Sequence, residues 1–183
     1  MELIGTHGTS YDNVEGILAM NFKCSVGKNH WCGEGAYFFV EGVNSTPIAD
    51  LAEQWAIDSA YQRATKSYEY NEYAVLGAKI NAEDDQIFDL RETETQKKCN
   101  EIRDFLQLGL LKLKKTMTDD VIWQYIIKEF NLALIVKNDY IKFGLARLNN
   151  INSRIDNCTI ASVVNTNDSI DVSSIILLKK GNI

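Results

Sequence analysis

The chain has 183 residues, 45% of them apolar and 24% charged, a balance that suits one soluble globular domain around a single core. Its net charge of −6, from 19 basic and 25 acidic residues, argues against a broad electropositive surface for nonspecific nucleic-acid binding. No apolar run approaches the roughly 18 residues that a membrane span needs, and no basic segment leads into an apolar one at the N-terminus, so a cytoplasmic protein with no membrane partner is expected.

Leu3 to Thr9 reads as a short strand entering a glycine-containing turn. A helix follows from Tyr11 to Met20, with Val14, Ile17 and Leu18 on one face and Ser10 or Asp12 as its cap. Residues from Asn21 to Glu34 have no regular pattern, and Ala36 to Val40 is a second apolar strand. Thr46 and Pro47 open another helix, with Ala49, Ala52, Trp55, Ala56 and Ala60 along its apolar face. Such small side chains let a helix sit close against a sheet.

Tyr73 to Ile80 and Ile87 to Leu90 are the next strands. Thr93 and Gln96 have the spacing of a capping box, and Ile102, Leu106, Leu110 and Leu113 follow on one helix face. Lys112, Lys114 and Lys115 at its end oppose the helix dipole; a local guide for an RNA substrate is the alternative reading. Asp119 and Asp120 open a further helix carrying Ile122, Tyr125, Ile126 and Phe130. Leu132 to Val136, Tyr140 to Phe143, Cys158 to Val164 and Ser174 to Lys179 read as strands. The expected architecture is α+β in one domain over residues 1–183, with two helices inserted between early and late strands. Cys24, Cys32, Cys99 and Cys158 include no Cys-x-x-Cys pair. Cys24, His30 and Cys32 lack a fourth ligand, so ordinary thiols and no metal are expected.

Four segments carry the chemistry, in order. Ile4-Gly5-Thr6-His7-Gly8-Thr9-Ser10 puts a histidine at a strand end beside a glycine. Asn21-Phe22-Lys23-Cys24-Ser25 follows the first helix. Trp31-Cys32-Gly33-Glu34-Gly35-Ala36-Tyr37-Phe38-Phe39 leads into the second strand, and Trp55-Ala56 lies on the alanine-rich helix. Breaking a bond between nicotinamide and ribose needs a backbone that can approach a carboxamide, an aromatic face, a group for ribose hydroxyls and a group for a sugar cation.

In this order the segments resemble the poly(ADP-ribose) polymerase-like ADP-ribosyltransferases, particularly compact bacterial members. The resemblance is strongest over residues 2–56 and weakens through Ala74-Val75-Leu76-Gly77-Ala78. It implies a split antiparallel sheet core with flanking helices and the two-helix insertion, and NAD as the ADP-ribose donor. It assigns His7 to a ribose hydroxyl, Gly8 to the carboxamide and Tyr37 to the nicotinamide face. Thr9 completes the His-Gly-Thr motif and Ser25 occupies a matching loop position. Trp55 either covers nicotinamide or fills the core.

The family's late-strand glutamate has no counterpart here. Glu72 stands too early in the chain. Near the expected position Asp156 is the only carboxylate and the chosen catalytic acid, with Asn157 and Thr159 as neutral alternatives or a turn cap as Asp156's structural role. Loss of the glutamate implies single-unit transfer. The resemblance thus implies mono-ADP-ribosyl transfer from NAD to a macromolecular acceptor, protein, RNA or DNA. Such a chain resembles a bacterial toxin or effector in a defence (antiphage) or toxin–antitoxin system, with a neutralising antitoxin protein as partner. The alternatives are a non-catalytic NAD or ADP-ribose binding module and an NAD glycohydrolase. RNA 2′-phosphotransfer would require paired arginines, which are absent.

Overall fold

A computed structural model describes residues 1–27, 30–114 and 117–183. Its centre is a mixed α+β arrangement, a seven-stranded sheet with helices on both faces. The strands are β1 (Glu2–Ser10), β2 (Ala36–Val40), β5 (Glu72–Asn81), β6 (Ile87–Asp89), β7 (Leu134–Asp139), β8 (Cys158–Val163) and β9 (Ile176–Asn182), while β3 (Tyr61–Gln62) and β4 (Ser67–Tyr68) form a separate hairpin. The order is β6-β7-β8-β2-β1-β5-β9. Only β6–β7 is parallel; the other neighbours are antiparallel.

Alternation along the strands divides the interior in two, because successive side chains point to opposite faces. Phe38, Val40, Leu76, Ile80, Val136 and Val163 pack on one face with Val14 from α1 (Val14–Met20) and Phe22. Phe39, Val75, Ile135 and Ile160 pack on the other, beneath Leu51, Ala52 and Ala56 of α2 (Ile48–Ala60) and Ile122, Trp123 and Ile126 of α4 (Asp119–Glu129). The long α3 (Thr93–Lys112) contributes no buried residue. It touches this second core through the half-buried Cys99, Ile102 and Leu106.

The small side chains of α2 set its height above the sheet. A Cβ at Gly8 would lie 1.8 Å from the Ala52 carbonyl oxygen, so only glycine lets strand and helix approach this closely. The Thr6 hydroxyl donates to the Ile48 carbonyl at 2.8 Å and ties β1 to the first turn of α2.

Several local expectations shift. Ser10 caps a 3-10 turn, Tyr11–Asn13, that precedes α1. Pro47 is itself the cap residue of α2. Thr93 is the first helical residue of α3 and Gln96 donates to the Leu90 carbonyl at 2.6 Å, so the capping box is not formed. Residues 140–143 are not a strand; β7 ends at Asp139, and Phe143 starts the short α5 (Gly144–Leu148). Of the lysine cluster, Lys112 closes α3 and Lys114 follows it, while Lys115 lies outside the described residues. Among the described residues no helix is long and apolar enough to cross a membrane.

Candidate functional site

The site follows from a parting of strands. β1 pairs with β5 along its whole length, from Glu2↔Asn81 to Ser10↔Tyr73. Its pairing with β2 stops after Gly5↔Val40 and Thr6↔Phe39. Beyond that point β2 stays paired with β8, Tyr37 opposite Ser162 and Ala36 opposite Val163. The two central strands therefore separate where β1 carries His7, Gly8 and Thr9 and β2 carries Ala36, Tyr37 and Phe38.

The His7 ring spans the gap, with Nδ1 2.8 Å from the Tyr37 carbonyl oxygen. A carbonyl only accepts, so Nδ1 carries the hydrogen and Nε2 presents a lone pair. Phe22 and Phe38 pack against the ring at centroid distances of 5.2 and 5.7 Å. Desolvation in this pocket lowers the His7 pKa against the opposing effect of the Tyr37 carbonyl. The imidazole is thereby held neutral at physiological pH.

Tyr37 is fixed at its far end. Its hydroxyl donates to the Gly33 carbonyl at 2.5 Å and accepts from the Cys32 N–H at 2.9 Å. Burial pushes its pKa up to about 12, so it stays a phenol. Gly33 adopts φ +77°, and a Cβ there would meet Trp123 of α4 at 2.9 Å. The Tyr37 anchor therefore rests on the inserted helices. Ser25 closes the same loop, its hydroxyl donating to the Gly35 carbonyl at 2.8 Å.

A cavity of about 380 Å³ opens between the parted strands, within the roughly 300–1,000 Å³ range of small-molecule pockets. Five of the residues singled out from sequence line it: His7, Gly8, Ser25, Tyr37 and Trp55. Thr9 lies outside it, on two adjoining cavities of about 300 and 460 Å³, and its hydroxyl accepts from Asn13 Nδ2 at 2.9 Å. His7 and Lys23 line both the 380 Å³ cavity and the adjoining 300 Å³ one.

Asp156 is not brought to the cavity. It is exposed on the loop before β8. The alternatives near it are engaged elsewhere. Asn157 exchanges two 2.9 Å hydrogen bonds with the Ile141 backbone. Thr159 donates to Asn138 at 2.8 Å and accepts from the Val43 N–H at 3.0 Å. The β8 side chain that does line the cavity is Ile160, opposite Phe39 in register. Among the described residues no carboxylate lines it.

Sequence reasoning assigned no cavity role to Lys23, His30, Trp31 and Ile160. Lys23, Trp31 and Ile160 lie inside segments already singled out, and an aromatic two residues before the Gly-x-Gly turn was the available signal for Trp31. Burial pushes the thiols of Cys32 and Cys158 up to about 12, so these two stay protonated.

No family model matches the chain. It is similar to an uncharacterised protein of Methanocaldococcus jannaschii, 25% identical over 141 residues, which are 74% of this chain and 61% of that protein. The matched segment thus spans less than two thirds of the relative's length.

Proposed function

We propose that the chain is an NAD-dependent mono-ADP-ribosyltransferase acting on a macromolecular acceptor, with an ADP-ribosyltransferase-type split sheet. The observation that carries this reading is the parted pair of strands, where His7, Gly8, Ser25, Tyr37 and Trp55 line one cavity. The donor set suits the dinucleotide. Tyr37 and Trp55 supply aromatic faces for nicotinamide, and the His7 Nε2 lone pair suits a ribose hydroxyl. Gly8 brings bare backbone to the cavity wall, and Lys23 adds a cation to the same lining, which suits a pyrophosphate. Bound NAD would supply the activated glycosidic bond. The chain's own groups orient it and keep water from the apolar wall formed by Phe39 and Ile160. A role as a defence or toxin–antitoxin effector with a protein antitoxin belongs to the same reading.

One observation favours a second reading, a non-catalytic NAD or ADP-ribose binding module: among the described residues no carboxylate lines the cavity, and its β8 side chain is Ile160. Incubation with labelled NAD and total cell protein or RNA separates the two. Label transfer with nicotinamide release supports the transferase. Free ADP-ribose alone identifies a glycohydrolase. Binding without release of nicotinamide overturns the enzyme reading.

A further inference from the structure

The helix α3 carries two apolar stripes, and the fold uses one of them. Cys99, Ile102 and Leu106 turn toward the second core. Phe105, Leu108 and Leu111 recur every three residues on the opposite side of the helix, since 3.6 residues complete a turn. These three side chains are 66%, 63% and 63% exposed. A helix lying on a core normally turns charged and polar residues outward. Three large apolar side chains along one outer ridge instead make a contiguous patch, the mark of an interaction surface.

Charge on the same face is arranged end to end. Glu101 and Asp104 stand before the end of the apolar stripe that Phe105 opens, Lys112 stands after Leu111, and all three are exposed. Counted from Leu108, Phe105 and Leu111 lie three residues away on either side, and Asp104 and Lys112 lie four. A second copy of the helix laid antiparallel about Leu108 therefore sets Phe105 against Leu111 twice and Asp104 against Lys112 twice. A twofold contact requires this kind of self-complementarity. A parallel copy would put Asp104 beside Asp104 and Lys112 beside Lys112. A partner of one charge sign would satisfy one end of the face and repel the other. Asp104 holds an ion pair with Arg103 at 2.9 Å, but both side chains are exposed, and such a pair is exchanged with little loss.

We propose that the outer face of α3 is a dimer interface, on which a second copy of this chain packs antiparallel about Leu108. The contact is short. From Glu101 to Lys112 the helix rises about 16 Å at about 1.5 Å per residue. The interface therefore belongs with the small, reversible ones, and a dissociation constant on the order of 10 μM is expected. The inference is independent of what the cleft binds.

Sedimentation velocity of the full chain over a range of concentrations reads the association. The unmutated chain should pass from monomer to dimer as its concentration rises through the micromolar range. Leu108→Asp, Asp104→Lys and Lys112→Asp should each weaken association by about tenfold or more. Circular dichroism and melting temperature should stay close to those of the unmutated chain, because all three positions are exposed. Asp104→Lys and Lys112→Asp, mixed in equal amounts, should dimerise again, since each then meets the opposite charge at both ends of the pair. A chain that stays monomeric at every concentration overturns the proposal and leaves the face to a different protein. A dimer untouched by Leu108→Asp places the contact elsewhere and overturns it too. If Leu108→Asp fails to fold, the mixing experiment still decides, because it leaves the apolar stripe intact; charge variants that remain apart when mixed overturn the antiparallel pair.

Discussion

Gly8→Ala tests whether the cleft and the fold share one constraint. The added Cβ would lie 1.8 Å from the Ala52 carbonyl oxygen, 2.8 Å from its carbon and 3.1 Å from the Ala56 Cβ. Carbon and oxygen in ordinary contact sit about 3.3 Å apart, so strand and helix must separate by roughly 1.5 Å. Neither side yields easily. Gly8 is paired with Val75 inside the sheet, and the opposing atoms are helix backbone tied to β1 through Thr6. Overpacking usually costs about 1–3 kcal/mol, and a backbone obstacle puts this case at the upper end, about 3 kcal/mol. For a chain of this length that lowers the melting temperature by about 6–12 °C. The control is Gly16→Ala in α1, where a Cβ meets nothing within 4 Å; it should stabilise by about 0.5–1 kcal/mol. Thermal and urea denaturation of both variants read the difference. A Gly8→Ala protein within about 0.5 kcal/mol of the unmutated chain would refute the argument that helix packing requires this glycine.

Three further outcomes follow from the site. A histidine whose folded pKa lies below its ordinary 6.5 takes up its proton chiefly in the unfolded state. The stability His7 contributes is therefore intact above that value and lost as pH falls below it. Urea midpoints should drop between about pH 7.5 and about pH 5.5, more steeply for the unmutated chain than for His7→Gln, and identical slopes would sink the assignment. Tyr37→Phe removes the bonds to Cys32 and Gly33 and should cost about 1–3 kcal/mol in urea denaturation; a neutral result means the 32–33 turn is held by other contacts. Asp156→Asn should leave nicotinamide release within about twofold, because the side chain is exposed on a loop outside the cavity. A tenfold loss would show that this loop reaches the reacting groups.

The central strands of the sheet were largely legible in the sequence because they are short apolar runs, buried on both faces. Ala36–Val40 has the same limits by pattern and by structure. The stretch from Tyr140 to Phe143 was not, since its apolar residues serve loop packing: Ile141 bonds Asn157, and Phe143 lies 5.8 Å from the Phe39 ring. The capping box failed for a related reason. Gln96 has a competing acceptor in the Leu90 carbonyl, which arises only when β6 turns into α3. Apart from Ser25 on its loop, the cavity residues found by sequence lie toward strand ends or on an apolar helix face. Trp31 and His30 lie in a segment without periodicity, and their placement depends on the Tyr37 hydroxyl fixing the turn that follows them.

Ile160 shows how register decides what a motif cannot. Along β8 the side chains that face α2 and the cleft are Cys158, Ile160 and Ser162, and pairing with β2 sets Ile160 beside Phe39 and Ser162 beside Tyr37. The Ser162 hydroxyl is buried beside the Tyr37 phenol, and a Cβ on Gly35 would lie 2.4 Å from it. Asp156, two residues before β8, is not carried to the cavity with Ile160, because the strand enters the sheet between them with Cys158 paired to Asp139. The cavity therefore combines the polar groups of His7, Lys23 and Ser25 with an apolar wall of Phe39 and Ile160. Under the proposed transferase reading, electrostatic stabilisation would have to come from backbone dipoles and from the ligand itself. That places the weight of any reaction on orientation, and it makes nicotinamide release the measurement that separates a slow transferase from a binding module.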